Sequence, residues 1–315
     1  MLERRGLSHV SDVASVASRP PEIVGGRYLL GRSVGAGSSG TVYLARDRQS
    51  GNRYAVKIRE AQGREQPVRF IAEARDMARL RHPRLVPVLD SGSDGNLYWF
   101  VMPFYAKGSL RDRIKRHGPL DTMDGLDCIF RVLEGLDAVH KSGLVHRDVK
   151  PHNVLIDDDD VPVITDFGLV RHVHGGVPYR TRTDQSMGTP NYRAPEQAVD
   201  AANVDLRADI YGVGATLYFL LTARRPGFLY MVDEQDPAMA AIDPVIRPFI
   251  LRCMAYEADE RFADARETAV AVAAIAQHVG RVLGRPEFGQ SWMKRFDRGG
   301  RRSLWERFVN WVMGY

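Results

Sequence analysis

The spacing of apolar residues changes period once along this chain, near Gly108, and that change limits the architectures open to it. Before it, apolar residues alternate in short runs broken by glycine turns. Tyr28 to Val34, Thr41 to Ala45 and Tyr54 to Ile58 read as three strands, and Leu85 to Leu89 and Leu97 to Met102 as two more. One helical pattern interrupts them over residues 67–81, with Phe70, Ile71, Ala74, Met77, Ala78 and Leu80 on one face. After it, apolar residues recur at helical spacing over 122–141, 208–222, 244–256 and 264–283. The pattern predicts an α+β chain of two lobes: a small antiparallel sheet with one helix, then a larger, mainly helical body.

The 315 residues and 44% hydrophobic content suffice for two cores. The net charge of +5 suits anionic small ligands and is too small to point to nucleic acid. The two cysteines, Cys128 and Cys253, have neither metal-ligand spacing nor the density of a secreted scaffold, so a reducing, cytoplasmic setting is expected. The longest apolar runs, Ile210 to Leu221 and Ala269 to Ala276, fall short of the roughly 20 residues a membrane span requires. Residues 1–26, rich in Ser, Arg and Pro, read as a flexible leader. The acidic run Asp157 to Asp160 reads as a solvated turn between short strands.

The chemistry concentrates in His146-Arg147-Asp148-Val149-Lys150-Pro151-His152-Asn153, followed thirteen residues later by Asp166-Phe167-Gly168. A candidate base, a cation and two oxygen ligands for a metal lie on two segments joined by a hairpin, as phosphoryl transfer from a metal-bound nucleotide requires. Upstream, Gly35-Ala36-Gly37-Ser38-Ser39-Gly40 allows a backbone to lie close over phosphates. A dinucleotide fold would need a helix after the third glycine; here a strand follows, and a plain hairpin turn is the bland alternative.

These motifs resemble those of the eukaryotic-type (Hanks-type) serine/threonine protein kinases, over about residues 27–280 and in family order. The resemblance implies a protein-kinase-like fold, with an N-lobe of about 27–105 and a C-lobe of about 106–280. It implies a nucleotide site of Val34, Gly35, Ala36, Gly37, Ser38, Ser39, Gly40, Thr41, Val42, Ala55, Lys57, Pro103, Tyr105 and Leu155. Lys57 would hold the α and β phosphates and pair with a glutamate on the following helix, for which Glu73 fits best and Glu65 second. Asp148 would orient the acceptor hydroxyl and Lys150 would steady the γ phosphate. Asn153 and Asp166 would ligate Mg2+, or Mn2+ in its place. Glu196 of Ala194-Pro195-Glu196 would pair with Arg261, and Asp209 would anchor the loop around Asp148. Lys150 and the Gly188-Thr189-Pro190-Asn191-Tyr192 run favour Ser/Thr acceptors on protein substrates. Gln197 after Glu196 looks like the bacterial branch. The hinge departs from the family in carrying Pro103, which keeps the carbonyl that adenine needs. The stretch from Ala223 to Arg261 is short for the family, which points to a trimmed helix.

Arg147, beside Asp148, implies a phosphate switch. Thr181 or Thr183, once phosphorylated, would bind Arg147 and Arg171, through autophosphorylation in a transient homodimer. Residues 281–315 interleave Lys294, Arg295, Arg298, Arg301, Arg302 and Arg307 with aromatic and apolar residues. This tail could lie on an anionic membrane surface, dock a partner or pack on the C-lobe. The competing function is a nucleotide-binding pseudokinase scaffold, against which stand the intact Lys57, Glu73, Asp148, Asn153 and Asp166. A small-molecule phosphotransferase would lack the Gly-Thr-Pro and Ala-Pro-Glu elements.

Overall fold

The computed structural model describes residues 22–37, 40–60, 74–75, 78–166, 171–172, 190–199, 203–227, 237–285, 287, 290 and 292, with backbone alone for 171–172 and 190. Strands β1 (Ile23–Val24), β2 (Tyr28–Gly37), β3 (Gly40–Asp47), β4 (Arg53–Glu60), β5 (Asp90–Asp94) and β6 (Leu97–Pro103) form one sheet in the order β1-β2-β3-β4-β6-β5. Every pairing in it is antiparallel. Both faces of its centre are covered, so Ala55, Val56, Lys57 and Ile58 are all buried. Alternation sends Val56, Ile58, Trp99 and Val101 to a small outer cluster with Tyr28. Ala55, Phe100 and Met102 face the other way and join the main core.

One strand is displaced from its expected place. Leu85 to Leu89 makes only a bridge from Leu85 to Ile164, and the polar Asp90–Asp94 is the edge strand. The physical reason is burial: Leu85 and Val86 are taken into the main core between sheet and helices, where Val86 N–H donates to the Ile164 carbonyl. The edge strand needs one covered face at most, so polar residues suffice there. Within the expected helix over 67–81, residues 74–75 and 78–81 are described; 74–75 and 78–79 are helical, while Leu80 and Arg81 lie past the helix.

The helical lobe begins with α1 (Leu110–His117), which the periodicity did not announce because only Leu110 and Ile114 of its eight residues are buried. A capping box starts it: Ser109 Oγ accepts from Asp112 N–H, and the Asp112 carboxylate accepts from Ser109 N–H at 3.0 Å. Helix α2 (Thr122–Lys141) follows, capped by Asp121, with Leu126, Ile129, Phe130, Leu133, Leu136 and Val139 buried as the spacing predicts. Strands β7 (Leu144–Val145), β8 (Val154–Ile156) and β9 (Pro162–Ile164) flank a 3-10 turn at Pro151–Asn153, and β10 (Arg171–His172) pairs with β7. The Asp157 to Asp160 run is the β8–β9 turn, where the Asp157 carboxylate accepts from Asp159 and Val161 N–H.

A second 3-10 turn at Pro190–Tyr192 leads to α3 (Glu196–Val199) and then α4 (Arg207–Thr222). Helix α4 is buried on all sides, as its unbroken apolar run requires. Short α5 (Pro237–Ala240) and α6 (Arg247–Cys253) precede α7 (Ala265–Val282), which packs on α2. Trp292 stacks on Phe130 of α2, with ring centroids 4.5 Å apart. The start of the basic tail therefore packs on the C-lobe; residues 293–315 lie outside the described residues. No helix among the described residues is long and apolar enough to cross a membrane.

Candidate active site

The glycine turn is the end of the β2–β3 hairpin, with Gly35 opposite Val42, Ala36 opposite Thr41 and Gly37 opposite Gly40. Gly40 has φ 131°, and a Cβ there would sit 2.5 Å from the Ile58 carbonyl oxygen. The position therefore requires glycine. Val34 lies at a register irregularity between Ser33 and Gly35 and is 38% exposed. Ser38 and Ser39 are outside the described residues. Ala55 and Lys57 lie on one side of β4, with Met102 opposite Ala55 on β6. Val42, Ala55, Met102 and Leu155 belong to one apolar cluster, a floor and ceiling suited to a flat ring. Pro103 ends β6, where a missing N–H costs least. Burial pushes the Tyr105 phenol up to about 12.

Lys57 crosses from this sheet to the helical lobe. Its Nζ is 2.8 Å from Asp166 Oδ1 and 5.5 Å from the Phe100 ring centroid. Burial pushes the Asp166 carboxyl up, but the Lys57 charge and hydrogen bond, with Lys150 and His146 behind them, hold it below the usual range. Asp166 also has φ 64°, a strained value that points to a fixed role for its side chain. Glu73, expected beside Lys57, is outside the described residues, as are Phe167 and Gly168.

Around Asp148 the polar groups converge. Lys150 Nζ donates to both carboxylate oxygens, at 2.8 and 2.7 Å. Asn153 Nδ2 donates to Asp148 Oδ2 at 2.8 Å and to its carbonyl at 2.9 Å. With its nitrogen committed there, the Asn153 amide presents its oxygen as the end for a cation. Asp166 and Asn153 together supply hard oxygen donors, which fit Mg2+ or Mn2+. Among the described residues no cluster of three or more His, Cys, Asp or Glu could hold a metal by itself.

The loop carrying Asp148 is bolted to α4. Asp209, 1% exposed, accepts from His146 N–H at 2.8 Å, Arg147 N–H at 2.6 Å and His140 Nε2 at 2.9 Å. Burial works against its charge, yet the His140 hydrogen bond and the His146 backbone N–H hold its carboxyl below the usual range. Arg147 takes φ 67° there, and its guanidinium donates to the Val204 carbonyl at 2.8 Å. Asp148 N–H donates to His146 Nδ1, so His146 Nε2 carries the ring proton and donates to the Thr165 carbonyl at 3.0 Å. Gly212 of α4 lets the helix approach: a Cβ there would meet the Val149 carbonyl oxygen at 2.6 Å.

The segment after the site closes on a bidentate pair, Arg261 to Glu196, at 2.7 and 2.8 Å. Arg261 also donates to the carbonyls of Ala255, Tyr256 and Arg207, and its guanidinium lies 5.2 Å from the Tyr211 ring centroid. Gln197 ties this segment to the loop through Nε2 and the Arg147 carbonyl. Sequence reasoning named Lys57, Asp148, Lys150, Asn153, Asp166, Asp209, Glu196 and Arg261; the fold pairs Lys57 with Asp166, gathers Lys150 and Asn153 on Asp148, ties Asp209 to the loop backbone beside it and pairs Glu196 with Arg261. It missed His140 and the Val204 carbonyl. His140 occupies the apolar face of α2, a position whose spacing alone suggests packing. Thr181 and Thr183 lie outside the described residues, and Arg171 is placed by its backbone alone, opposite Val145.

A cleft between a glycine-turned sheet and a helical lobe, with a lysine on one carboxylate and a second carboxylate held by a lysine and an asparagine, defines an ATP-dependent phosphotransferase. Residues 28–270 match the family model described as protein kinase domain, and the chain belongs to that family, in its bacterial Hanks-type serine/threonine branch. It is similar to the serine/threonine-protein kinase PknL of Mycobacterium bovis, 36% identical over 273 residues, covering 83% of this chain and 68% of the relative. It is also similar to PknB of Mycolicibacterium smegmatis, 32% identical over 78% of this chain and 42% of the relative. The DNA damage-responsive kinase RqkA of Deinococcus radiodurans is 38% identical over 73% of this chain and 34% of its own length.

Proposed function

We propose that Asp148 orients the Ser or Thr hydroxyl of a protein substrate and takes its proton as the γ-phosphoryl group of ATP is transferred. The acceptor oxygen forms the new P–O bond, the bond from γ phosphorus to the bridging oxygen breaks, and ADP leaves. The observation that carries this is the single Asp148 carboxylate held at both oxygens, by Lys150 and by Asn153. Lys150 is placed to move with the γ phosphate, exchanging one anion for another. Lys57 holds the α and β phosphates, with Glu73 as its helix partner. Asp166 and Asn153 would hold Mg2+ or Mn2+, which would neutralise phosphate charge. Gly35, Ala36, Gly37, Ser38, Ser39, Gly40 and Thr41 cover the phosphates; Val34, Val42, Ala55 and Leu155 enclose adenine, and Pro103 and Tyr105 meet its polar edge. Glu196, Asp209 and Arg261 support this machinery without touching substrate.

Regulation rests on Thr181 or Thr183 becoming phosphorylated in a transient homodimer and pairing with Arg147 and Arg171. The leader expected over 1–26 stops short of β1, because Ile23 and Val24 pair with β2 and Val24 is buried in the sheet's outer cluster; the domain then runs over about 22–280, before a tail of 281–315. The stacking of Trp292 on Phe130 favours a tail that begins against the C-lobe, leaving its basic remainder for a membrane surface or partner. Two buried, unpaired cysteines fit a reducing cytoplasmic setting, and no nucleic-acid partner is needed.

The test is phosphate transfer from labelled ATP to self and to a basic protein. Asp148→Asn is expected to lower kcat about 10³-fold while nucleotide affinity stays unchanged, as loss of a proton acceptor does. Absence of transfer by the unaltered protein, with nucleotide still bound, would replace this reading by the scaffold.

A further inference from the structure

Asp148 is aimed by the backbone that leads into it. The peptide joining Arg147 to Asp148 is a rigid plane, so bonds to its two edges set the direction in which the Asp148 side chain leaves. Its N–H edge donates to His146 Nδ1 at 3.3 Å, a long bond made inside the loop itself. Its carbonyl edge accepts from Gln197 Nε2 at 2.8 Å, across 50 residues of sequence. Arg147 has φ 67°, a left-handed value that a residue with a Cβ keeps only while its surroundings hold it. Asp209 Oδ1 holds the Arg147 N–H at 2.6 Å, and the Val204 carbonyl takes its guanidinium. Those bonds secure the peptide before Arg147 and its side chain. The peptide after it, which Asp148 shares, is held by His146 and Gln197.

The Gln197 amide suits this task at both ends. Its Oε1 accepts from Ala194 N–H at 3.0 Å, while Gln197 N–H donates back to the Ala194 carbonyl at 3.0 Å. The side chain thus reaches back to cap the start of α3, three residues upstream. One neighbour of the amide is a donor and the other an acceptor, so a single orientation satisfies both. A carboxylate could serve Ala194 but has no proton for the Arg147 carbonyl. Glu196, the adjacent residue, is held at both oxygens by Arg261. The link therefore has a fixed end at Ala194 to Glu196 and a working end at the peptide before Asp148.

We propose that Gln197 is a positioning residue for phosphoryl transfer, its amide setting the Arg147–Asp148 peptide and through it the aim of the Asp148 carboxylate. The role rests on the reading of Asp148 as the acceptor-orienting residue. Gln197 acts on the group that takes the proton, so nucleotide binding does not depend on it. Misplacing such a group by about 1 Å costs roughly a hundredfold in rate. Losing one of the two bonds to the peptide, with His146 still in place, costs less than that.

The test uses two variants of the full chain. Gln197→Glu keeps the cap and the size of the side chain but sets an oxygen against the Arg147 carbonyl. Gln197→Met keeps the length and removes both bonds without adding charge. Each is made in the wild type and in Asp148→Asn, and transfer from labelled ATP to a basic protein is followed well below each melting temperature. Both variants are expected to lower kcat about tenfold, with KM for ATP within about twofold of wild type. In Asp148→Asn the same substitutions are expected to change the residual rate by less than about twofold, because the group they misplace is already gone. Amide hydrogen exchange over residues 146–150 is expected to speed up in both. Unchanged kcat or unchanged exchange would overturn the proposal. So would an equal fall in the two backgrounds, which marks a structural role, or the failure of both variants to fold. Absence of transfer by the wild type would instead sink the kinase reading on which the proposal rests.

Discussion

The C-lobe wall of the cleft rests on buried polar anchors, whereas the N-lobe wall rests on a sheet. On the C-lobe side, Asp209 holds two successive backbone N–H groups and a histidine, and Arg261 holds Glu196 and three carbonyls. Removing any one strands its partners in a dry interior, so the geometry around Asp148 is over-determined. On the N-lobe side, Lys57 and the glycine turn are placed by ladder pairing and by apolar contacts of β4 and β6. The Lys57–Asp166 ion pair spans the two walls. On the proposed function, this asymmetry would keep the acceptor side fixed and let the glycine-turned side adjust as nucleotide enters and leaves.

Substitutions on the two sides should therefore fail differently. The largest expected effect is Arg261→Ala, which leaves Glu196 and three carbonyls without their donor. Stability should fall by about 3 kcal/mol or more, read from the denaturant midpoint, with activity falling in parallel. A loss under about 0.5 kcal/mol would mean that the C-lobe wall is not anchored there. Gly40→Ala tests the other wall. The new Cβ would press on the Ile58 carbonyl, and its relief should lift the turn from the phosphates. We expect KM for ATP to rise roughly tenfold, a cost near 1.4 kcal/mol, with little change in melting temperature. If melting temperature fell instead and KM held, the hairpin would belong to the fold more than to the nucleotide site.

The smallest effect is a change of slope with pH. Asp209 has its carboxyl held below the usual range, so it contributes stability that is present above about pH 4, the unfolded value, and is lost as pH falls through the folded value. Wild type should lose stability through that acid window. Asp209→Asn should start lower at neutral pH and show a shallower acid slope, followed by thermal melts between neutrality and acid. Parallel curves would mean that another carboxylate dominates acid unfolding.

Much of the site was legible because its chemistry is local in sequence. Asp148, Lys150 and Asn153 sit within six residues, so one short loop carries all three side chains that meet at this point. Lys57 and the glycines were legible for a related reason: a hairpin sets its own register once the turn is known. Helix α1 was less visible, since its exposed face is charged and only two residues report the buried one. The fifth strand was misplaced because apolar content marks burial and not pairing. Leu85 and Val86 are buried by the joint between lobes, while Asp90–Asp94 pairs with β6.

The chain alone determined the residue types, their order and the periods that make a sheet lobe and a helical lobe. These depend on neighbours a few positions apart, where backbone geometry dictates which side chains share a face. Only the tertiary structure decided which distant groups meet. Asp166 reaches Lys57 across 109 residues, Glu196 reaches Arg261 across 65 and Asp209 reaches His140 across 69. Such contacts form where burial makes an unpaired charge costly, and that cost exists only once the core has closed around them.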